Sequence, residues 1–300
     1  MSSVAPGGEL DADTVEFPCD LCGSADAVEV PHAREFTGGQ PVHICVRCGF
    51  VYVKERRSAA GIADTWSDEI FGSGYTARIP AVTARLTYVA ETVEQEIGLR
   101  AKRVCEIGAG EGEFLDLVRD RFGADVFGIE PSSANCALMA RSGIESFAGT
   151  IEDHLASTDA RAGWADVAAI LWTLENCQDC KRMLRGAHRL LADDSHVVVA
   201  TGSRILVPFK KPLWTYFSAH PADTHAFRFS ANTLCGLLAV TGFEPVYVNR
   251  YLDHDVLLVI GRKSVADESI ARRGDDYLAV HGFFERWYAD TVLYFPAPES

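Results

Sequence analysis

Positive charge is scarce in this chain: 28 lysines and arginines stand against 42 aspartates and glutamates, a formal net charge of −14 with a pI near 5.1. A field of that sign repels phosphate backbones unless a local patch overrides it. The longest basic runs, "KERR" at 54–57 and "ARR" at 271–273, read as solvated surface charge, so no nucleic-acid partner is expected. Long apolar runs are missing as well, since no segment approaches the ~18 uninterrupted apolar residues of a membrane helix. The start, "MSSVAPGGELDADTVEF", has neither the basic n-region nor the apolar core of an export signal. No membrane partner is expected, and the expected compartment is the cytoplasm. There is no internal repeat beyond two short cysteine knuckles.

What is present is enough for a full core: 300 residues, 48% of them hydrophobic, suit one large domain or one domain plus a small module. Residues 1–16 are polar and aperiodic, a flexible tail. Residues 17–57 hold Cys19 and Cys22 in "CDLCG" and Cys45 and Cys48 in "CVRCG", with 22 residues between the pairs. Two C-x2-C pairs at this spacing can meet around one tetrahedral metal, and four thiolates leave no open position for water, which points to a structural Zn2+ rather than a disulfide framework. A third pair, Cys177 and Cys180 in "ENCQDC", stands alone and reads as incidental.

Residues 58–101 read as mostly helical, with Val82, Leu86, Val89, Val93 and Ile97 at spacings of three and four. From 102 to 262, apolar strands such as "RVCEIG", "DVFGIE", "ADVAAILW" and "SHVVVATG" alternate with helical segments. That alternation predicts an α/β fold, a Rossmann-like, mostly parallel sheet of seven strands flanked by helices, with the small N-terminal zinc-ribbon module in front. Residues 203–229 interrupt it with an aromatic, His- and Pro-containing insertion long enough to be a substrate lid. A helix capped by Ser230 follows, and 263–300 carry an amphipathic, aromatic helix able to dock on the body or on another subunit.

The stretch "EIGAGEG", Glu106 to Gly112, sets three glycines at alternate positions behind an acid. A dinucleotide site needs a further glycine where this chain has Glu113, and no Lys-Ser/Thr follows to make a phosphate loop. The ligand must approach bare backbone and carry positive charge near the acids. S-adenosylmethionine, with a sulfonium, an ammonium and no phosphate, meets that description.

At these residues the chain resembles the class I methyltransferases that use this cofactor. The resemblance assigns Glu106, Gly108, Ala109, Gly110 and Gly112 to the first cofactor motif, and Glu130 with Pro131, at the end of the next strand, to the ribose hydroxyls. It gives Ile151 and an acid at Glu152 or Asp153 to the adenine, Leu171 and Trp172 to the methionine end, and Tyr75 to a cover over the cofactor, so that 58–101 would serve as connector and cofactor lid. The cysteine module in front resembles bacterial sugar and natural-product methyltransferases, and also zinc-bearing RNA methyltransferases. The sugar-methylating relatives carry Glu-His after the fourth strand and again in the insertion, where this chain has Glu175-Asn176 and Thr224-His225. His225 is then the leading candidate for the base, with His220, Asp223 and Tyr216 as acceptor-binding groups and a core histidine as the competing reading. Trp172, Trp214 and Phe217 would either wall an acceptor site or belong to the core. The expected function is methyl transfer to oxygen or carbon of a small-molecule acceptor such as a sugar, nucleotide sugar or antibiotic precursor. The alternatives are a zinc-ribbon RNA methyltransferase, a non-catalytic partner protein with this fold, or another reaction of the same cofactor.

Overall fold

The structure, a computed structural model, describes residues 14–65, 79–158, 160–208, 211–217, 222–269 and 274–295. The chain opens with β1 (Val15–Glu16), β2 (Ala27–Glu29), the one-turn helix α1 (Ala33–Phe36), β3 (His43–Cys45), β4 (Val51–Tyr52) and β5 (Glu55–Arg56). Helices α2 (Ala59–Thr65) and α3 (Ile79–Ile97) lead into the alternating part: β6 (Arg103–Ile107), α4 (Glu113–Phe122), β7 (Asp125–Glu130), α5 (Ser133–Arg141), β8 (Glu145–Ala148), α6 (Ile151–Ala156), β9 (Ala165–Leu171), α7 (Cys180–Leu190) and β10 (Leu191–Thr201). The insertion contains α8 (Leu213–Phe217) and β11 (Phe227–Arg228), and the chain finishes with α9 (Ala231–Val240), β12 (Phe243–Val248), β13 (Leu257–Lys263) and α10 (Tyr277–Tyr294).

Seven strands form the central sheet in the order β12-β13-β10-β9-β6-β7-β8. The five strands from β10 to β8 pair in parallel, and β13 runs antiparallel between β10 and β12. β9 is buried along almost its whole length because helices cover both faces, which is why it reads as an unbroken apolar run. Alternate residues supply two cores: Cys105, Ile107, Ala168 and Ile170 face one, and Val104, Val167, Ala169 and Leu171 face the other. The second core also takes the apolar stripe of α3, with Leu86, Val89 and Val93 buried. Side-chain caps start the helices where the sequence offers them: Ser132 accepts from the Asn135 N–H, Thr150 and Asp153 form a capping box, and so do Ser230 and Thr233.

One expectation is corrected. The end of the insertion is not a free lid: β11 pairs antiparallel with β4 and completes a four-stranded sheet, β11-β4-β3-β2, that belongs to the cysteine module. The physical reason is burial. Phe227 and Phe229 sit within 6 Å of Phe50 and share its core, which runs on from the cysteine knuckles into the central sheet.

Helix α10 likewise docks on its own chain. Val280, Phe283, Phe284 and Trp287 pack with Ile44, Val51 and Val53 of the module and with Leu213 and Phe217 of α8. The Trp287 indole donates to the Lys211 carbonyl at 2.8 Å, and the Asp275 N–H donates to the Cys48 carbonyl at 2.9 Å. One apolar face of α10 is thus buried inside the protomer, while Leu278, Val292, Leu293 and Tyr294 stay exposed. No helix among the described residues is long and apolar enough to cross a membrane.

Candidate active site

A cavity of about 800 Å³ opens where β6, β7 and β9 end. Ten of the residues assigned to the cofactor line it: Glu106, Gly108, Ala109, Gly110, Glu130, Pro131, Ile151, Glu152, Leu171 and Trp172. Tyr75 lies outside the described residues. Gly112 is not part of the wall. Its φ of +90° and a would-be Cβ 2.7 Å from Met139 make it a packing glycine, letting α4 start close against α5. Gly108 does line the cavity, and at φ +74° a Cβ there would fall 2.4 Å from Thr173, so the loops after β6 and β9 meet only across a bare backbone.

Glu130 braces that loop from the neighbouring strand. Its carboxylate accepts from the Gly110 N–H and the Ser132 N–H, both at 2.9 Å, one on each oxygen. A carboxylate oxygen has two lone pairs, so each can still accept one hydroxyl. Burial raises the Glu130 pKa, and the two backbone donors pull against that rise. Glu106 is more isolated. It is 3% exposed, its Oε2 makes no hydrogen bond, and burial, with the charges of Glu113 and Glu130 behind it, lifts its pKa well above the ordinary range.

The wall carries six acids, Glu106, Glu113, Glu130, Glu152, Asp153 and Asp179, against two cations, Arg85 and Arg182. Arg182 already faces Glu152 at 3.4 Å, and the Asp153 carboxylate caps the start of α6. Such a wall would repel a polyphosphate and suits a ligand with an ammonium and a sulfonium, for which the unpartnered Glu106 oxygen is a ready acceptor.

At the other end of the cavity, the loop after β9 is strained and only partly satisfied. Trp172 takes a left-handed φ of 53°, and its indole Nε1 is buried without a hydrogen bond. The Asn176 side chain donates to the Trp172 carbonyl at 2.7 Å and leaves its buried Oδ1 unused. Between them Glu175 is 1% exposed and is not among the residues lining the cavity. Burial pushes its pKa up to about 7 against the opposing pull of Thr201, its own backbone and Gly202, and Oε2 keeps no partner. Glu175 is a candidate that the departure at Asn176 obscures in the sequence; an acid four positions past the end of β9 is the signal that marks it.

The turn Leu174–Asn176 packs against the turn Ala222–His225, so the fold brings Glu175 and His225 onto touching segments. His225 is not among the residues lining the cavity. Asp223 is engaged elsewhere: it is buried in an ion pair with Arg57, at 2.9 and 3.1 Å, which removes it from the free acceptor-binding groups. His220 lies outside the described residues. The Tyr216 hydroxyl is buried without a hydrogen bond, its ring 4.6 Å from that of Trp287. Phe217 resolves as core against Phe284, and Trp214 faces Phe36 at 6.4 Å.

The four sulfurs of Cys19, Cys22, Cys45 and Cys48 lie within 4.8 Å of one another, with Cys19 to Cys48 and Cys22 to Cys45 at 3.5 Å. Zinc–sulfur bonds of about 2.3 Å in a tetrahedron put sulfurs roughly 3.8 Å apart, so the set fits a closed zinc site. Cys177 lines the cavity and Cys180 begins α7; neither belongs to this group, the one such cluster among the described residues.

Glu130 gives the cavity its sharpest test. Glu130→Ala should weaken S-adenosylhomocysteine binding by about 1.5–3 kcal/mol, read by calorimetry, and unchanged affinity would remove it from the site.

Comparison with known proteins agrees with this geometry. A family profile described as a methyltransferase domain matches residues 79–248, more than half of the chain. Comparison with curated protein sequences finds no match. Among solved structures, a S-adenosylmethionine-dependent methyltransferase from Thermotoga maritima, described as a possible histamine N-methyltransferase, superposes with a TM-score of 0.52 at 18% identity, covering 68% of this chain and all of its own. The 1,6-didemethyltoxoflavin-N1-methyltransferase of Burkholderia thailandensis gives 0.51 at 16% identity, covering 72% and 96%. The geranyl diphosphate C-methyltransferase of Streptomyces coelicolor gives 0.51 at 14%, covering 69% and 98%. At these identities the likeness is one of fold. The glycine loop, the braced Glu130 and the family match together establish that the chain belongs to the methyltransferase-domain family and is an S-adenosylmethionine-dependent methyltransferase.

Proposed function

We propose that this enzyme methylates oxygen or carbon of a small molecule, of the sugar, nucleotide sugar or antibiotic-precursor class, and that Glu175 takes the acceptor's proton. The observation that carries the reading is the polarity of the cavity, acid-walled where the cofactor would lie and ending at the loop that holds Glu175. Two solved relatives are described with 1,6-didemethyltoxoflavin and geranyl diphosphate bound, which supports a small acceptor, as does the net charge of −14.

When bound, S-adenosylmethionine supplies a methyl group already activated by its sulfonium. The chain's part is to align and to remove a proton. Glu106 would receive the cofactor's ammonium, Glu130 the ribose hydroxyls, and the segment from Ile151 to Glu152 the adenine. A base that titrates near 7 is well matched to a neutral solution, and Glu175 has the free oxygen to accept with. His225 remains the second candidate, supported by the contact between its turn and that of Glu175. The Cys19, Cys22, Cys45 and Cys48 site is proposed to hold a structural Zn2+, since four sulfurs leave no coordination position for a substrate.

The base must be ionised to act, so kcat/KM should rise with pH through about 7 and level above it. Glu175→Gln should lower kcat ~100-fold or more and flatten that rise. Retained activity in Glu175→Gln with loss in His225→Asn would transfer the role to His225. For the metal, elemental analysis should find one zinc per chain, and Cys48→Ser should lower both zinc content and the melting temperature; a zinc-free, fully folded wild type would rule the site out.

A further inference from the structure

The acid-walled cavity has a basic counterpart beside it that no run of the sequence announces. Arg85 stands in the cavity wall on α3. Lys211, just before α8, holds its ammonium 5.3 Å from the centroid of the Tyr216 ring, and the Arg228 guanidinium lies 5.9 Å from the same centroid. Lys211 and Arg85 are close enough to act on each other: burial first, and then the charge of Arg85, lower the Lys211 pKa. The nearest acid acting on Lys211 is Asp255, whose carboxylate sits 3.0 Å from His254. None of the three cations has a carboxylate within ion-pair distance among the described residues.

Arg228 is the telling member. It is 1% exposed, donates to the His225 carbonyl at 2.8 Å, and leaves its other terminal nitrogen without a partner. Burial pulls its pKa down to about 10, so it still carries its charge at neutral pH. The chain's other wholly buried arginine, Arg56, faces the two oxygens of Asp20. A buried guanidinium left unpaired is costly, and in a chain with 42 acids its lack of a partner calls for an explanation. The Tyr216 hydroxyl beside it is likewise buried and unused.

Resting on the reading of this cavity as a small-molecule methyltransferase site, we propose that the acceptor carries an oxyanion, a phosphate or a carboxylate, held where Arg85, Lys211, Tyr216 and Arg228 converge. Arg85 and Lys211 supply the accessible positive charge, the Tyr216 hydroxyl donates a hydrogen bond, and the Arg228 charge behind it supplies a field that low dielectric keeps strong. The acceptor is thereby drawn to one end of the cavity and kept out of the acidic cofactor end. Methyl transfer is then directed to a group of the same molecule lying between this anchor and Glu175.

The test uses the full zinc-loaded chain saturated with S-adenosylhomocysteine, titrated calorimetrically with pyrophosphate and, separately, with succinate, against sodium chloride of equal ionic strength. One saturable site for either probe is expected, and which probe binds identifies phosphate or carboxylate as the anion. Arg85→Gln and Lys211→Gln, both at solvent-reachable positions, should each weaken that site ~10-fold, and Lys211→Gln, outside the cavity wall, should leave S-adenosylhomocysteine affinity unchanged within twofold. Binding of neither probe, or binding that both variants leave intact, overturns the proposal. Failure of S-adenosylhomocysteine itself to bind is a different result, and overturns the cofactor-site reading on which the proposal rests.

Discussion

Arg56 has no solvent exposure, and all its nitrogens are engaged: two donate to the oxygens of Asp20, one of these also to the Gln178 carbonyl, and Nε to the Val53 carbonyl. The rings of Phe17 and Phe227 lie 4.6 and 4.4 Å from its guanidinium. These partners come from the first cysteine knuckle, the end of β4, the loop after β9 and the strand that closes the insertion. Breaking a buried, fully paired guanidinium is strongly destabilising, so this one contact fixes the cysteine module, the insertion and the loop after β9 relative to one another. The neighbouring Arg57 repeats the link, pairing with Asp223 and taking a bond from Gln178 to its carbonyl. The proposed zinc site therefore stands in the frame that holds the loop after β9 and the insertion.

That frame sets two environments of opposite sign side by side. Glu106 and Glu130 are buried at adjoining strand ends, where each is costly to ionise unless a donor or a cation arrives. Lys211 and Arg228, with no carboxylate at ion-pair distance among the described residues, gather instead about the Tyr216 ring. Opposite fields of this kind sort two ligands by charge before any contact is made, which matters for a reaction that needs both held in one alignment.

How much of this the sequence carried depends on the range of each interaction. The glycine loop, Glu130 and the four cysteines are local patterns with fixed spacing, and the fold places them as that spacing implies. The parallel sheet followed from continuous apolar strands, and the Ser230 cap from its own helix start. The acceptor side was not legible because its residues meet only in three dimensions. Asp223 looks available until Arg57, 166 positions away, is seen beside it. Phe227 and Arg228 look like part of a lid until β4 is found at their edge. Arg85, Lys211 beside Lys210, and Arg228 lie far apart in an acidic chain, so no one window of sequence brings the three together. Gly112 shows the converse limit: it fits the cofactor motif, yet its space is taken by Met139.

Burial of acids beside a bare glycine loop selects a cationic, phosphate-free cofactor. Calorimetry on the intact protein with S-adenosylmethionine and, in parallel, with a nicotinamide dinucleotide tests it most directly. One saturable site for S-adenosylmethionine and no binding of the dinucleotide are expected. Binding of the dinucleotide, or no binding of S-adenosylmethionine at millimolar concentration, would contradict it.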